Sequence, residues 1–476
     1  MKQRSPLLRL KKLLRPGELR LEPSFCERYS GDKWFATRVP DAVALPRNTE
    51  TVSHILRFAN ENRIPVTPRG AGHGYVGGCV PLRGGIALSL ERMNRIHEIS
   101  ADDFVAVVAP NVITKTLQDA AEAKGLFYPP DPASRAECSL GGNIATNAGG
   151  PRCLKYGVTR DYVLGLEVVL ASGAVVRLGS RTHKNKSGFD LHRLFVGSEG
   201  MLGVVTEATL KLLPLPPERA ALAAGFASMK SATDAIRRIF AAGFLPSALE
   251  VADSFTLAAA QKRTGSKRLG GCNAHIIVEL DGQRASVRGE IRILEKLMRE
   301  LKPLFIDRAL GAAACENIWK LRREFSYALR DTGLTKLNED IVVPRGKLEA
   351  LFEFTAGLQK KFDLPVACFG HAGDGNIHVN VMVNQNDPDA EKRSHAALDE
   401  LFRQVLAFGG VITGEHGIGI AKERWWPLAA SEESRALHSA VKRALDPNGI
   451  LNPGKFVDAR KRKAPVRREP SRRKNP

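Results

Sequence analysis

Residues 41–67 carry a hydrophobic pattern that predicts a strand, a helix and a second strand. A short apolar run at 43–45 precedes Asn48 and Thr49, either of which can cap the N-terminus of a helix. The apolar positions that follow recur at helical spacing and form one face: Val52, Ile55, Leu56 and Ala59. The segment 64–67 then returns as a strand, so this part of the chain alternates between β and α elements.

Later segments continue this alternation. Strand patterns occur at 86–90, 104–109, 166–170, 174–178 and 340–343, and helical patterns at 114–124, 316–329 and 390–408. Residues 139–150 are so rich in glycine and asparagine that they are predicted to form a loop. The proline-rich segment 213–217 predicts a domain boundary, beyond which helices and strands alternate again over 222–306.

Composition narrows the class of protein. The chain has 476 residues, of which 43% are apolar and 26% are charged, so it is too long for one core and too apolar to be disordered. It has no run of the roughly 18 apolar residues that a spanning helix needs. Its first twelve residues lack the continuous apolar stretch of a secretory signal, so we expect none. Its seven cysteines include no Cys-x-x-Cys pair, and therefore offer neither a disulfide framework nor iron–sulfur ligands. We expect a soluble, cytoplasmic protein of two or three domains.

The net charge of +20 is concentrated at the two ends of the chain. Residues 1–20 carry seven basic groups and one acid, and residues 460–476 carry nine and one. The C-terminal tail is too charged and too interrupted by proline to fold, so it is either solvated or bound to an acidic membrane surface, nucleic acid or partner. In the leader, three leucines at helical spacing predict either an interfacial helix or a helix docked on the protein itself: Leu7, Leu10 and Leu14.

Two glycine-rich segments are candidates for cofactor binding. Gly72, Gly74 and Gly77 satisfy G-x-G-x-x-G literally, but a Rossmann motif must open a helix, and here the chain runs into the strand at 86–90. The glycines can instead form an anion nest beside Arg69, or only a tight surface turn. The loop at 139–150 has four glycines and two asparagines, which suit a flat heterocycle and a phosphate. Together the two loops predict an extended dinucleotide.

A histidine pair lies in a predicted hairpin. Asp374-Gly375 predicts a two-residue turn, which would place His371 directly opposite His378 on one face, with Cβ atoms roughly 5 Å apart. Two imidazoles at that separation can share a metal ion at roughly 2.1 Å. Asn380 falls on the same face.

A second segment rich in glycine and histidine, 409–419, contains Glu415. This residue would complete a set of two histidines and one carboxylate that leaves coordination positions open, as catalytic metal sites do. The alternative is that the histidines are ordinary core or surface residues. The glycines that crowd both segments argue against ordinary core.

Four segments resemble the FAD-binding domain of the p-cresol methylhydroxylase / vanillyl-alcohol oxidase superfamily: Pro68-Arg-Gly-Ala-Gly, Leu140-Gly-Gly-Asn-Ile-Ala-Thr-Asn-Ala-Gly-Gly, Cys153-Leu-Lys-Tyr-Gly-Val-Thr and Gly197-Ser-Glu-Gly-Met-Leu-Gly-Val-Val-Thr-Glu. Over residues 38–457 the chain is similar to the branch of glycolate oxidase D-subunits, D-lactate dehydrogenases and D-2-hydroxyglutarate dehydrogenases. The resemblance implies an α+β fold, with a two-part FAD-binding domain of the p-cresol methylhydroxylase type and an α+β substrate (cap) domain with an antiparallel sheet. The implied parts are a basic leader at 1–37, the FAD-binding domain at 38–217, a substrate and metal domain at 218–457 whose C-terminal segment returns to the flavin, and a disordered basic tail at 458–476.

The resemblance also implies that FAD lies between the two glycine loops and the segment 197–207. The implied FAD-binding residues are Arg69, Gly70, Gly72, His73, Gly77, Gly78, Asp131, Ser134, Ser139, Gly141, Gly142, Asn143, Asn147, Gly149, Glu199, Gly203, Val204 and Asn452. His73 departs from the branch, which usually has threonine at this place. A histidine here bonds the flavin covalently in other members of the superfamily, so a covalent bond and a non-covalent contact both stay open.

The remaining site residues are implied in the same way. The implied ligands of a divalent metal (zinc, with manganese or iron as alternatives) are His371, His378 and Glu415. His416 corresponds to the catalytic base, and Arg322 to the arginine that holds the substrate carboxylate, with Arg323 as the alternative. Lys336, Asn338 and Asp340 lie where the further pocket residues of the family fall. Asn380, which shares the face of the two histidines, is a further expected substrate contact.

The implied activity is the FAD-dependent oxidation of a D-2-hydroxy acid to a 2-oxo acid, by metal-assisted proton abstraction and hydride transfer to flavin N5. One alternative is a metal-free oxidase of alcohols or sugars with covalent flavin, which His73 favours. Another is a basic nucleic-acid-binding protein, which only the charged ends favour, since no specific nucleic-acid motif accompanies them. The implied partner is an electron acceptor, either an iron–sulfur subunit, a cytochrome or a quinone link. The basic ends also allow a peripheral location on the inner face of the membrane.

Overall fold

The computed structural model describes residues 4–457, so the tail at 458–476 lies outside the described residues. The α-helices are α1 (Arg4–Leu13), α2 (Pro23–Glu27), α3 (Thr49–Glu61), α4 (Thr114–Glu122), α5 (Leu140–Thr146), α6 (Cys153–Tyr156), α7 (Leu191–Phe195), α8 (Met229–Ala241), α9 (Ser254–Thr264), α10 (Arg284–Glu300), α11 (Ala312–Arg330), α12 (Leu348–Phe362), α13 (Ala390–Ala407), α14 (Trp426–Ala429) and α15 (Glu432–Leu445). The β-strands are β1 (Leu19–Arg20), β2 (Ala42–Ala44), β3 (Val66–Arg69), β4 (Ile86–Ser89), β5 (Ile96–Ser100), β6 (Val105–Val108), β7 (Leu126–Phe127), β8 (Val163–Val169), β9 (Val175–Gly179), β10 (Val204–Lys211), β11 (Leu213–Pro214), β12 (Glu218–Phe226), β13 (Ala248–Asp253), β14 (Ala274–Gly282), β15 (Phe305–Leu310), β16 (Thr335–Val342), β17 (Val366–His371) and β18 (Asn376–Val383).

The described residues form two compact units. The first comprises the residues up to Ala148, Val158–Leu215 and the residues from Glu415 on; the second comprises Gly149–Gly157 and Pro216–Gly414. The division between Leu215 and Pro216 lies inside the proline-rich segment from which a boundary was predicted. The units differ from the predicted ranges at two places, because Gly149–Gly157 groups with the second unit and the chain from Glu415 on groups with the first.

The first unit contains two main sheets. In one, β2, β4 and β3 are parallel and β1 adds an antiparallel edge, in the order β1-β2-β4-β3. The other is antiparallel, in the order β5-β6-β10-β8-β9. Helix α3 begins as the sequence predicts: Asn48 is the cap, since its side chain accepts a hydrogen bond from Thr51 N. Leu7 and Leu10 of α1 are buried in the same hydrophobic cluster as α3, so the leader helix packs on the unit itself.

The second unit is built on a seven-stranded sheet in the order β15-β12-β14-β13-β17-β18-β16. Every pair in it is antiparallel, as predicted for the substrate domain. Helices α9 and α11 cover one face, where Phe325 of α11 packs against Ala252, Phe369 and Met382 of the strands. This face carries the polar side chains discussed below.

Residues Gly149–Gly157 belong to the second unit through ion pairs to β14. Arg152 donates to the buried carboxylate of Glu279, with Nη2 and Oε1 3.1 Å apart. Lys155 and Tyr156 both bond Asp281, at 2.5 and 2.8 Å. The sequence placed this segment in the FAD-binding domain, because side-chain pairs separated by about 125 residues cannot be read from local pattern.

All seven cysteines are free. Among the described helices, none is both long enough and apolar enough to cross a membrane.

Candidate functional site

The two predicted glycine loops meet in the first unit. Ser139 Oγ accepts hydrogen bonds from the backbone N–H of Ala71 in the first loop (3.2 Å) and of Gly142 in the second (3.3 Å). A side chain at Gly70 would collide with the same oxygen, so the two backbones approach closely only because this residue is glycine. The loops therefore form one continuous backbone surface.

The second of these segments is not the loop that its composition predicts. Residues Leu140–Thr146 form α5, which Ser139 caps at its N-terminus and which ends at Asn147 in the left-handed region, with φ of 51°. The prediction failed because the Ser139 cap and close packing against Pro110 outweigh the weak helix propensity of two glycines. A Cβ at Gly141 would lie 2.8 Å from Pro110 Cβ.

Two of the implied FAD-binding side chains, those of Arg69 and Asn143, form hydrogen bonds with other parts of the protein. Arg69 donates through Nη1 to the carbonyl of Gly31 at 2.5 Å, and its guanidinium fills the space that a side chain at Gly72 would need. Asn143 is buried and donates to Thr114 Oγ1 at 2.7 Å. These two side chains fix the position of the backbone. The backbone itself is therefore the part of the loops that can contact a ligand.

Glu199 and Asn452 connect these loops to the C-terminal segment. The buried carboxylate of Glu199 accepts from the N–H groups of Ile418 and Gly419, at 2.8 and 2.9 Å, and burial raises its pKa although these two bonds lower it. Asn452 donates through Nδ2 to the carbonyls of Gly78 (2.9 Å) and Glu199 (2.7 Å). The C-terminal segment therefore lies beside the glycine loops within the first unit.

A lysine that the sequence reasoning missed completes this arrangement. Lys455 is fully buried, and its ammonium donates to the carbonyls of Gly77 (2.9 Å) and Val80 (2.7 Å). The signal was present, because Lys455 lies three residues after Asn452, which the resemblance implied as an FAD-binding residue. The Oδ1 atom of Asn452 is buried and has no hydrogen-bond partner among the described residues. Glycine-lined backbone with such an acceptor fits a dinucleotide such as FAD.

The other implied FAD-binding residues lie around this surface with different contacts. His73 Nδ1 is 3.0 Å from Glu137 Oε2, and burial lowers the pKa of the imidazole, a shift that Glu137 opposes. Asp131 and Val204 are buried, and the carbonyl of Ser134 accepts from the N–H of Glu137. A Cβ at Gly203 would lie 2.5 Å from a Val168 methyl group. Gly149 falls in the segment that belongs to the second unit.

In the second unit, the histidine hairpin has a longer turn than predicted. His371 pairs with Asn376 and Phe369 pairs with His378, so four residues connect the strands and the histidines are not directly opposite. The turn is set by Gly375, whose φ of 85° and close approach to the carbonyl of Val343 allow no side chain. The two imidazoles still share a face as diagonal neighbours, with ring centroids 5.6 Å apart.

Glu415 follows a turn that is fixed to the sheet of the second unit. Buried Asp340 of β16 accepts from Thr413 Oγ1 at 3.0 Å and from Gly414 N at 3.1 Å. Glu415 is bonded directly to Gly414. One ligand atom from each of three residues lies within 4.8 Å of the other two: His371, His378 and Glu415. Two imidazoles and one carboxylate at this separation fit a divalent metal ion.

Behind His371 lies a carboxylate that the sequence reasoning did not identify. Glu250 Oε1 is 2.5 Å from His371 Nδ1, and Oε2 accepts from Arg322 Nε at 2.5 Å. Burial alone would raise the pKa of Glu250, but the electrostatic interactions and hydrogen bonds with His371 and Arg322 outweigh burial and lower the pKa to about 2. The available signal was an acidic residue in the middle of the apolar run of β13, a strand that also ends at Asp253.

The other predicted substrate residues lie on the same face of the sheet. Asn380 donates through Nδ2 to the carbonyls of Ala367 and His378, both at 3.0 Å, and pairs in register with Asn338. The Oδ1 atoms of both asparagines are buried without a hydrogen-bond partner among the described residues. Lys336 Nζ donates to Ser326 Oγ at 2.9 Å, and burial lowers the pKa of its ammonium to about 8. Buried acceptors of this kind are satisfied in a folded protein by water, an ion or a ligand.

His416 follows Glu415 along the chain and belongs to the first unit. Its imidazole lies against the ring of Tyr75, with centroids 5.2 Å apart and planes inclined by 30°. Tyr75 stands in the first glycine loop, a contact that sequence pattern does not reveal.

Comparison with known proteins gives consistent results for both halves of the chain. The profile of the FAD binding domain family matches residues 40–179, and that of the FAD linked oxidases, C-terminal domain, matches residues 215–456. The glycolate oxidase subunit GlcD of Bacillus subtilis is 40% identical over 426 residues, covering 89% of this chain and 91% of that protein. A D-lactate dehydrogenase of Anaerostipes hadrus is 36% identical, covering 88% and 89% of the two chains.

Among solved structures, p-cresol methylhydroxylase with substrate bound has a TM-score of 0.77 at 20% identity, covering 95% of this chain and 96% of that one. A 4-ethylphenol oxidase of Gulosibacter chungangensis has a TM-score of 0.76 at 23% identity, covering 95% and 96%. These likenesses confirm the predicted p-cresol methylhydroxylase type of fold.

Proposed function

Since the chain belongs to the family of FAD-linked oxidases and is therefore an FAD-dependent oxidoreductase, we propose that it oxidises a D-2-hydroxy acid of the glycolate or D-lactate type to the 2-oxo acid with the help of a divalent metal. The observation that carries the proposal is the convergence of His371, His378 and Glu415. Names of the similar proteins support this substrate class. Zinc is the ion we favour, because it binds imidazole and carboxylate together. The alternatives are iron, which imidazole also suits, and manganese, which carboxylate suits.

The chemistry that FAD and a divalent metal supply determines what each side chain has to do in the reaction. When bound, FAD supplies the acceptor for a hydride, and a divalent metal supplies charge that lowers the pKa of a substrate hydroxyl. His416 is then the general base and takes the hydroxyl proton on a ring nitrogen. Arg322 holds the substrate carboxylate, for which a guanidinium offers two parallel donors. Asn380 and Lys336 provide further polar contacts to the substrate.

A panel of 2-hydroxy acids tests the proposal. FAD-replete protein is mixed with glycolate, D-lactate, L-lactate and D-2-hydroxyglutarate, and reduction of an artificial dye is followed with and without prior chelation. We expect turnover of glycolate or D-lactate that disappears on chelation and returns when zinc, manganese or iron is restored. Absence of turnover with all four acids, or turnover that survives removal of the metal, would contradict the proposal.

The proposal for the physiological electron acceptor follows from the cysteine pattern. The chain has no Cys-x-x-Cys spacing for an iron–sulfur cluster of its own. We propose that the reduced flavin passes its electrons to a separate iron–sulfur protein, cytochrome or quinone-linked partner. Rapid flavin reoxidation by such a partner, and slow reoxidation by oxygen, is the expected result in stopped-flow measurements.

A further inference from the structure

Glu250 is buried in the second unit, at a position that neither the glycine loops nor the implied ligand set includes. It lies on β13 directly opposite His371 of β17, so both side chains point to the same face of the sheet. Only about 1% of the residue is exposed. Each of its two carboxylate oxygens faces a different nitrogen: His371 Nδ1 and Arg322 Nε, each at 2.5 Å.

The first contact determines which nitrogen of His371 can bind a metal. A carboxylate in this position only accepts, so His371 carries its proton on Nδ1 and presents the lone pair of Nε2. Hydrogen bonds of this kind fix the ring orientation and tautomer of metal-binding histidines. Rotation of the ring would break the bond, so Glu250 also resists movement of the ligand atom away from His378 and Glu415.

The second contact determines which part of Arg322 stays available. Glu250 uses the Nε–H, and the terminal nitrogens Nη1 and Nη2 make no hydrogen bond to any residue that the structure describes. The guanidinium carbon lies 4.8 Å from the centroid of the Phe369 ring and 5.7 Å from that of Phe325, so its plane is held by packing as well. The two free donors are the pair that grips a carboxylate.

We propose that Glu250 is a positioning residue that couples metal binding to substrate binding, by holding the Nε2 atom of His371 and the terminal nitrogens of Arg322 in a fixed relation. This proposal rests on the proposed function. A 2-hydroxy acid presents a hydroxyl and a carboxylate at a fixed separation. One buried carboxylate that bonds both a metal ligand and the arginine holds the two groups that would bind these parts of the substrate in one fixed relation.

The test is Glu250→Gln, which keeps the size of the side chain but replaces one acceptor with an NH₂ donor. The amide cannot accept from His371 Nδ1 and Arg322 Nε at once. We expect the Kd of the protein for zinc, measured by competition with a chelator, to rise by roughly 10- to 100-fold. KM for the best 2-hydroxy acid should rise with it at saturating metal, while the FAD content stays that of the wild type.

Glu279→Gln is the matched control. Glu279 is equally buried on the adjacent strand β14, and its carboxylate accepts hydrogen bonds from four other residues: Arg152, Arg219, Trp319 and Ser247. This variant should lose thermal stability but keep the zinc Kd and the KM of the wild type. If Glu250→Gln does not fold, Glu250→Asp takes its place, since it keeps both acceptor oxygens at shorter reach and should still raise the zinc Kd above that of Glu279→Gln.

The possible results distinguish a failure of the role of Glu250 from a failure of the proposed function. Wild-type protein that binds zinc and oxidises a 2-hydroxy acid, together with a Glu250→Gln variant that has the same zinc Kd and KM and only a lower Tm, overturns the role of Glu250 and leaves the proposed function standing. Wild-type protein that neither binds zinc nor oxidises any 2-hydroxy acid overturns both.

Discussion

Replacement of Asp340 by asparagine should destabilise the second unit and weaken the metal site together. Asp340 is completely buried, and its two oxygens accept three hydrogen bonds from three residues: Asn376 Nδ2 at 2.8 Å, Thr413 Oγ1 at 3.0 Å and Gly414 N at 3.1 Å. In Asp340→Asn one oxygen becomes an NH₂ group. The hydroxyl of Thr413 can turn to accept from it, but the N–H of Gly414 cannot.

The magnitude follows from these three bonds. An unpaired buried N–H costs about 1–3 kcal/mol, and the remaining two bonds lose the contribution of a charged acceptor, which is worth about 1 kcal/mol each. We therefore expect the free energy of unfolding to fall by about 3–5 kcal/mol. Because Gly414 directly precedes Glu415, the same change should raise the Kd for zinc.

Urea unfolding, followed by tryptophan fluorescence, measures the first effect, and chelator competition measures the second. Thr413→Val is the control, since it removes one of the three bonds without leaving an N–H opposite another donor, and should cost about 1 kcal/mol. If Asp340→Asn costs no more than Thr413→Val, the carboxylate does not organise the turn and the reasoning is wrong.

Four further outcomes are expected. His371→Ala and Glu415→Ala should each lose bound divalent metal and most turnover but keep the FAD absorbance; stoichiometric metal in the purified double variant would refute the site. His416→Ala should keep its metal and lower turnover by roughly 10²–10⁴-fold. Near-normal turnover of this variant at pH 7 would exclude His416 as the general base. We expect a non-covalent contact between His73 and FAD, because the rest of the loop follows the non-covalent branch; acid precipitation should then leave the yellow colour in solution, and a yellow, fluorescent pellet would contradict it. Burial lowers the pKa of Lys336 to about 8, so KM for the acid anion should rise as pH increases through this value and the ammonium loses its charge; an unchanged pH profile in Lys336→Met would exclude this role.

Local pattern predicted those features that depend on neighbouring residues. Helix α3 and its cap at Asn48 follow from spacing over a dozen residues, and the common face of His371 and His378 follows from the period of two in a strand. The two histidines share a face although the turn is longer than predicted. Adding two residues to the turn does not change which side of the strand a residue faces, because side chains alternate with a period of two.

Features that depend on distant residues could not be predicted in this way. The turn is long because Gly375 lies against the carbonyl of Val343, and α5 forms because Ser139 caps it and Pro110 packs on it. Glu250 is 121 residues from His371. No periodicity indicates which apolar strand will place a carboxylate behind a histidine, so only the fold identifies it.

The way the chain is divided between the two units has a consequence for biosynthesis. The chain passes between units four times, and each unit contains separate pieces. The second unit receives its last residue at Gly414, whereas the glycine loop of the first unit lacks Asn452 and Lys455 until almost all of the chain has left the ribosome. During translation the second unit can therefore finish folding first, and the loop around Gly77 and Gly78 remains without its supports until the end. A chain that stops after Gly414 would keep the histidine hairpin intact and yet bind FAD poorly.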